Sequence, residues 1–130
     1  MSAVKSAYKT TFHNTIVRML DYIRDNVPEL KKQMISYKGL YRYMTGSETP
    51  LIMFNKYSKP HQSDIESKND SFVKDLNIAE IIGDTEDDSA LEEGMFLRDM
   101  WNGDKLTDEI KDNLWKFLIV LNKVSNKYVN

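Results

Sequence analysis

The sequence predicts an all-α fold. Apolar residues recur at intervals of three and four along most of the chain, and residues 107–128 carry the clearest stripe of this kind. One run, 78–82, fits either a helix or a lone extended segment, but no second strand-like run is present to pair with it. These observations predict a compact bundle of about five to seven helices that ends in an antiparallel helical hairpin.

The composition is that of one globular domain. The 130 residues are 41% hydrophobic and 29% charged, and no apolar run approaches the roughly 18 residues of a membrane span. The absence of cysteine excludes disulfides and thiolate metal sites. The start of the chain, 1–5, lacks the apolar segment of a signal peptide. We therefore expect no membrane contact, no secretion by a signal peptide and no cofactor.

The first half predicts two helices behind a short tail. Residues 1–10 are polar and basic without apolar periodicity, so they predict a flexible N-terminal arm before a single helical domain over 11–130. The apolar face of the first helix comprises Phe12, Ile16, Met19, Leu20, Ile23 and Val27. Pro28 opens the second helix, where its missing N–H is not needed. Gly39 falls inside the second pattern and is a candidate to split it.

Short helices are predicted in the middle of the chain. Thr49 followed by Pro50 is typical of an N-cap and the first helical position, and Pro60 would end that helix. Ser63 and Glu66 have the spacing of a capping box, which predicts another helix to about residue 68. Asp70 is then in position to cap a further short helix through residue 76.

The last third predicts the closing hairpin. Ser89 and Glu92 form a capping box for a helix to Trp101, and residues 102–104 form the turn. Thr107 begins the final helix, with acidic residues at its positive dipole end. Its apolar stripe comprises Ile110, Leu114, Phe117, Leu118, Leu121, Val124 and Tyr128.

Three residues widen the stripe of the final helix. Trp115, Ile119 and Val120 lie outside the strict spacing, so this helix either is central in the domain or also contacts a partner. We take these three as candidate partner-binding residues. The partner is expected to bind those of them that are exposed. The partner would be another protein, viral or host, or a second copy of the chain.

Charge is divided between the two halves. Residues 1–60 hold ten Lys or Arg against four Asp or Glu, whereas residues 61–130 hold eight against sixteen. The division is typical of attraction between helices of one domain, but it also allows a basic patch that binds an anionic partner. Basic and aromatic residues alternate between 31 and 43, so a nucleic-acid interface is the alternative hypothesis. Its phosphate contacts would be Lys31, Lys32, Lys38 and Arg42.

Motifs for catalysis and for metal binding are weak. His13 and His61 are distant in sequence, and neither has a nucleophile motif beside it. The acidic run 84–88 alternates like the first ligands of a calcium loop. However, Ser89 stands where that loop needs Gly, and Met95 stands where it needs a bidentate Glu. The sequence therefore predicts a protein that is not an enzyme and holds no metal.

Several packing motifs are spread over the chain. They are Phe12-(x3)-Ile16-(x2)-Met19-Leu20-(x2)-Ile23-(x4)-Pro28-Glu29, the apolar segment Pro50 to Tyr57, Leu97-(x3)-Trp101, and Lys111-(x3)-Trp115-Lys116-Phe117-Leu118-(x2)-Leu121. Together they resemble small uncharacterised helical proteins of large nucleocytoplasmic DNA viruses, over about residues 12–128. The chain departs from that pattern at Val73, where a second Phe would stand. The resemblance implies a viral origin and a role in the virion or the infected cytoplasm.

The functional prediction combines these observations. We expect a non-catalytic viral structural or adaptor protein that acts through protein–protein contacts in the virion or the host cytoplasm. The alternative is a nucleic-acid-binding accessory protein that uses the basic N-terminal half.

Overall fold

A computed structural model describes residues 3–41, 46–74, 101 and 106–130. Its helices are α1 (Ala3–Asn26), α2 (Lys31–Tyr41), α3 (Thr49–Ser58), α4 (Gln62–Glu66), α5 (Ser71–Lys74) and α6 (Asp108–Val129). Short 3-10 turns, Pro28–Leu30 and Lys59–His61, precede α2 and α4. These ranges contain no strand, which confirms the all-α class for the described part of the chain. The number of helices in the bundle stays a prediction.

The two long helices, α1 and α6, pack against each other in antiparallel orientation. Near the end of α1, Tyr22 Oη accepts a hydrogen bond from Asn113 Nδ2 at 3.0 Å, close to the start of α6. Near the start of α1, Lys5 Nζ lies 5.4 Å from the ring centroid of Tyr128, close to the end of α6. The contact therefore extends along most of α6, from Asn113 to Tyr128, a length of about 23 Å. The two helices contribute to the buried core cluster Phe12, Ile16, Met19 and Leu20 from α1, and Leu114, Leu118 and Leu121 from α6.

The shorter helices cover the remaining sides of this pair. The turn at Pro28–Leu30 reverses the chain, and α2 packs back against α1. The α3–α4 segment packs against α6, with Leu51 and Phe54 of α3 buried in the core. Thus α6 lies between α1 on one side and α3–α4 on another.

A row of aromatic rings joins these elements. The ring centroids of Phe12 and Phe54 are 5.8 Å apart, those of Phe54 and Phe72 are 6.5 Å apart, and those of Phe72 and Trp115 are 6.3 Å apart. Trp101 then meets Trp115 edge to face at 5.7 Å. Such tilted and edge-to-face pairs add to the stabilisation from burial alone. The row connects α1, α3, α5 and α6 through a single core.

The flexible arm predicted over residues 1–10 is wrong for residues 3–10, the part of it that the structure describes. Residues 3–10 form the first turns of α1. Tyr8 packs against the core, and the ammonium group of Lys5 lies over the ring of Tyr128. The segment is held by the side chains of Tyr8 and Lys5. These two contacts produce no apolar periodicity, so the sequence pattern did not predict a helix here.

Other element predictions have mixed outcomes. The Thr107 cap is confirmed, because its hydroxyl accepts a hydrogen bond from Ile110 N at 3.2 Å. Gly39 does not split α2, which runs through it. The capping box at Ser63 is wrong, because α4 begins at Gln62 without a side-chain cap and already includes Ser63. The predicted helix before Trp101, over 89–100, lies outside the described residues.

Phe72 is the ring that attaches α5 to the rest of the core. Replacing it with Ala should lower the free energy of unfolding by about 3–5 kcal/mol, because a fully buried ring with aromatic neighbours is lost. Urea denaturation followed by circular dichroism measures this change. Val120→Ala, which truncates an exposed side chain, serves as the control and should change stability by less than about 0.5 kcal/mol. Equal effects of the two substitutions would contradict the placement of Phe72.

Candidate functional site

The side of α6 that faces α3 and α4 is polar. Gln62 Nε2 donates to Asn122 Oδ1 at 2.8 Å, and Asn122 Nδ2 donates back to Gln62 Oε1 at 3.0 Å. Asn126 Nδ2 also donates to Gln62 Oε1 at 3.0 Å. Asn55 Nδ2 of α3 donates to Asn126 Oδ1 at 2.7 Å. We call these four side chains the amide network.

The amide network is set in a buried polar layer. Asn55 and Asn122 are buried, as are two serine hydroxyls beside them. Ser125 Oγ donates to the carbonyl oxygen of Asn122 at 3.1 Å, and Ser58 Oγ donates to that of Asn55 at 3.3 Å. Burying an amide is unfavourable unless it is hydrogen-bonded, so this pairing favours one alignment of α3–α4 along α6. Its most direct role is to fix that alignment.

Sequence reasoning missed the amide network. The available indication was that Asn122, Ser125 and Asn126 occupy positions separated by three and four residues, which places them on a common side of the final helix. Polar residues outside the apolar stripe of a helix are ordinarily predicted to face solvent. Their partners on α3 and α4 are about 60 or more residues away in sequence, so no local pattern connects them.

A second cluster holds the segment 46–48 against α1 and α6. His13 Nε2 lies 2.7 Å from the carbonyl oxygen of Ser47, and because a carbonyl only accepts, Nε2 carries the proton. Lys9 Nζ donates to the carbonyl oxygen of Gly46 at 3.3 Å. The hydroxyl of Tyr128 donates to the carboxylate of Glu48. The start of α3 is thereby tied to both long helices.

The titratable groups of this cluster are shifted in ways that suit a structural role. Burial lowers the pKa of His13 below its ordinary value of 6.5, and the nearby charge of Lys9 lowers it further, while the hydrogen bond to Ser47 opposes both. The hydrogen bond to Glu48 raises the pKa of Tyr128, as do its burial and the carboxylate charge. His13 is therefore held neutral, and Tyr128 is held protonated as a donor.

The second histidine packs against aromatic rings. The ring centroid of His61 lies 5.7 Å from that of Tyr57 and 5.9 Å from that of Phe72. Its Nδ1 is 3.5 Å from Asp64 Oδ2, a long contact, and Asp64 also accepts a hydrogen bond from Asn69 Nδ2 at 3.2 Å. These contacts favour a structural role for His61, in which it holds the turn between α3 and α4.

The three candidate partner-binding residues of α6 have different environments. Trp115 is only 3% exposed and packs between Phe72 and Trp101, so its assignment as a partner contact is corrected: it is a core residue. Ile119 is half-buried against the core. Val120 is 41% exposed and remains available to a partner.

Val120 lies within a line of exposed side chains on α6, which we call the outward stripe. The stripe comprises Glu109, Asp112, Lys116, Val120, Lys123 and Lys127, all exposed and spaced by three or four residues. Phe117 and Val124 are half-buried beside it, and the Phe117 ring lies 5.8 Å from that of Tyr22 on α1. Residues 113–130 contain three lysines and neither Asp nor Glu. The stripe is thus acidic at its start and basic towards its end.

The candidate nucleic-acid contacts on α2 lie near acidic groups. Lys31 and Lys32 are exposed at the start of the helix. Lys38 Nζ is 2.8 Å from Asp21 Oδ1, which also lies 3.2 Å from a guanidinium nitrogen of Arg24.

The fourth candidate contact, Arg42, lies outside the described residues.

The pKa of Asp25 is lowered mainly by its hydrogen bond to Arg24, with the charges of Lys31 and Lys38 adding to the effect. The positive charge of the lysines on α2 is therefore partly neutralised by Asp21 and Asp25 of α1.

Neither a metal cluster nor a membrane helix is found in the described ranges. Over residues 3–41, 46–74, 101 and 106–130, no three His, Cys, Asp or Glu side chains are gathered to hold an ion. Among the helices of these same ranges, none is long and apolar enough to cross a membrane. The acidic run 84–88, considered above for calcium, lies outside them.

Comparison with known proteins identifies no relative. No family model matches the chain, and no curated protein or solved structure is significantly similar to it.

The amide network should show strong energetic coupling. Gln62→Leu leaves the buried amide of Asn122 without its partner and should lower the free energy of unfolding by about 1–3 kcal/mol. The double variant Gln62→Leu/Asn122→Leu should lose at least about 0.5 kcal/mol less than the sum of the two single changes. Urea denaturation of the four proteins completes the cycle. Additive losses would show that the two amides do not interact.

Stability should depend on pH through His13. Because the pKa of folded His13 is below 6.5, its neutral form contributes fully above that pH. The contribution is lost as pH falls from 6.5 through the lowered pKa. Thermal melts between about pH 7.5 and about pH 5 should show a falling Tm, and His13→Gln, which retains a donor for Ser47, should have a shallower fall. Identical slopes for the two proteins would contradict the buried, neutral state.

Proposed function

We propose that this chain is a non-catalytic structural or adaptor protein that binds another protein through the outward stripe of α6. The resemblance of its packing motifs supports a viral origin and a place in the virion or the infected cytoplasm. The observation that carries the proposal is the exposure of Val120, at 41%, on the helix whose other sides pack against α1 and α3–α4.

The surroundings of Val120 support a binding surface. A single exposed apolar residue is ordinary in a folded protein, so Val120 alone would mean little. Here Phe117 and Val124 extend the apolar area, and the stems of Lys116 and Lys123 border it. Lys123 and Lys127 are one turn apart, a spacing at which like charges repel. An anionic group from a partner would relieve this repulsion.

The state of the histidines supports a non-catalytic role. His13 is buried and its Nε2 proton is directed at the carbonyl oxygen of Ser47, whereas a general base needs an accessible lone pair. His61 packs against Tyr57 and Phe72. Both imidazoles are explained by packing and by contacts within the chain.

The alternative function is nucleic-acid binding through Lys31, Lys32, Lys38 and Arg42. The exposure of Lys31 and Lys32 favours it. The ion pair of Lys38 with Asp21 weighs against it, because a paired cation releases fewer counterions when it meets a phosphate.

A photo-reactive residue tests the proposed surface. We expect p-benzoylphenylalanine at position 120 to crosslink the chain to its partner protein in the cells that express the chain. The crosslinked product should be one discrete species. The matched control is position 52, because Ile52 on α3 is also apolar and is 40% exposed. Mass spectrometry of the crosslinked species identifies the partner.

The proposed function is wrong if position 120 gives no discrete species or crosslinks no better than position 52. Chromatography of the same protein on immobilised DNA and RNA tests the alternative. Salt-dependent retention that is lost in Lys31→Glu/Lys32→Glu would favour nucleic-acid binding.

A further inference from the structure

The order of charges along the outward stripe specifies one kind of partner. Resting on the proposed function of this surface, we propose that its occupant is a second copy of the same chain, bound with the two α6 helices antiparallel. The assembly is a two-fold symmetric dimer, in which each copy presents the same surface to the other.

The stripe is self-complementary when it is reversed. Glu109 and Asp112 lie near the start of α6, whereas Lys123 and Lys127 lie near its end. In an antiparallel pair centred near residue 118, Glu109 faces Lys127 of the second copy and Asp112 faces Lys123 of the second copy. Lys116 then lies opposite Val120 of the second copy. Symmetry makes each of these contacts twice.

The pairing follows from helix geometry. Members of the stripe are three or four residues apart, so they lie along one side of α6 and meet the corresponding side of a second helix. Packing antiparallel also sets the macrodipoles of the two helices in opposite directions, which is favourable. The apolar centre is small, with Val120 exposed and Phe117 and Val124 half-buried beside it. Affinity therefore depends strongly on charge and is sensitive to salt.

The helix macrodipole accounts for only part of this charge order. Acidic groups near the start of a helix and basic groups in its last turn are favourable in any isolated helix, which explains Glu109 and Lys127. That effect is confined to the terminal turns, so it does not explain Asp112 or Lys123. Within the described ranges, none of these four side chains forms an ion pair with its own chain. A second copy supplies an opposite charge for each.

A charge swap tests the dimer. Sedimentation velocity of the full chain, at concentrations up to about 1 mM in about 50 mM NaCl, should show a monomer–dimer equilibrium that shifts to monomer in about 500 mM NaCl. Asp112→Lys and Lys123→Asp each place like charges opposite one another in two symmetric contacts. Each should raise the dimer Kd by about tenfold or more. The double variant Asp112→Lys/Lys123→Asp restores opposite charges and should return the Kd to within about threefold of the wild-type value.

The control is Lys56→Asp, which reverses an exposed charge on α3 away from the stripe and should leave the Kd unchanged. Far-UV circular dichroism and Tm establish that each variant is folded. A chain that stays monomeric throughout, or a double variant that dimerises no better than the singles, would overturn the dimer. If position 120 nevertheless crosslinks a different protein, the proposed function stands and only the identity of its partner is wrong.

Discussion

The packing of α6 between α1 and the α3–α4 segment is the contact on which the rest of the described structure depends. A helix with one apolar stripe ordinarily buries one side, whereas α6 packs against other helices on two sides. Leu114, Leu118 and Leu121 are buried in the core that it shares with α1. Trp115 and Asn122 are buried as well, in contact with α5 and α4 respectively. Among the described residues, the side chains of the outward stripe are the exposed ones along the middle of α6, and they are left for solvent or for a partner.

The two contacts of α6 work by different physical means. Against α1, the centre of the interface is apolar and tolerates small displacements, because apolar burial is nearly non-directional. Against α3 and α4, the amide network requires each donor to meet its own acceptor, which fixes the alignment of the helices. The first contact stabilises the fold mainly by apolar burial, and the second adds the specificity of paired hydrogen bonds. This fixed alignment also determines which residues of α6 point outward.

Local patterns in the sequence predicted the elements whose signals are local. The stripe of α6 and the Thr107 cap were available from short spacings, whereas the α-helix predicted to open at Pro28 begins at Lys31, after a 3-10 turn. The first turns of α1 were not available from such spacings, because they are held by Tyr8 and by cationic side chains of α1 that contact distant parts of the fold. The burial of Trp115 also required the tertiary structure, since its neighbours Phe72 and Trp101 come from other segments.

The candidate site was predictable only in part, for the same reason. Val120 was singled out by its position beside the apolar stripe, and its role in binding stays a prediction. The charges around it could be grouped into one surface only after the packing of α6 showed which side is exposed. The amide network could not be predicted, because its partners are brought together by the fold and not by spacing.

Thiol accessibility along α6 tests the placement of this helix most directly. The chain has no cysteine, so single-cysteine variants at positions 113–125 each carry one reactive group. We expect fast labelling at 116, 120 and 123, and slow labelling on both buried sides of the helix, at 114, 118 and 121 and also at 115 and 122. Labelling at 115 and 122 as fast as at 120 would contradict this placement, because α6 would then be buried against α1 alone.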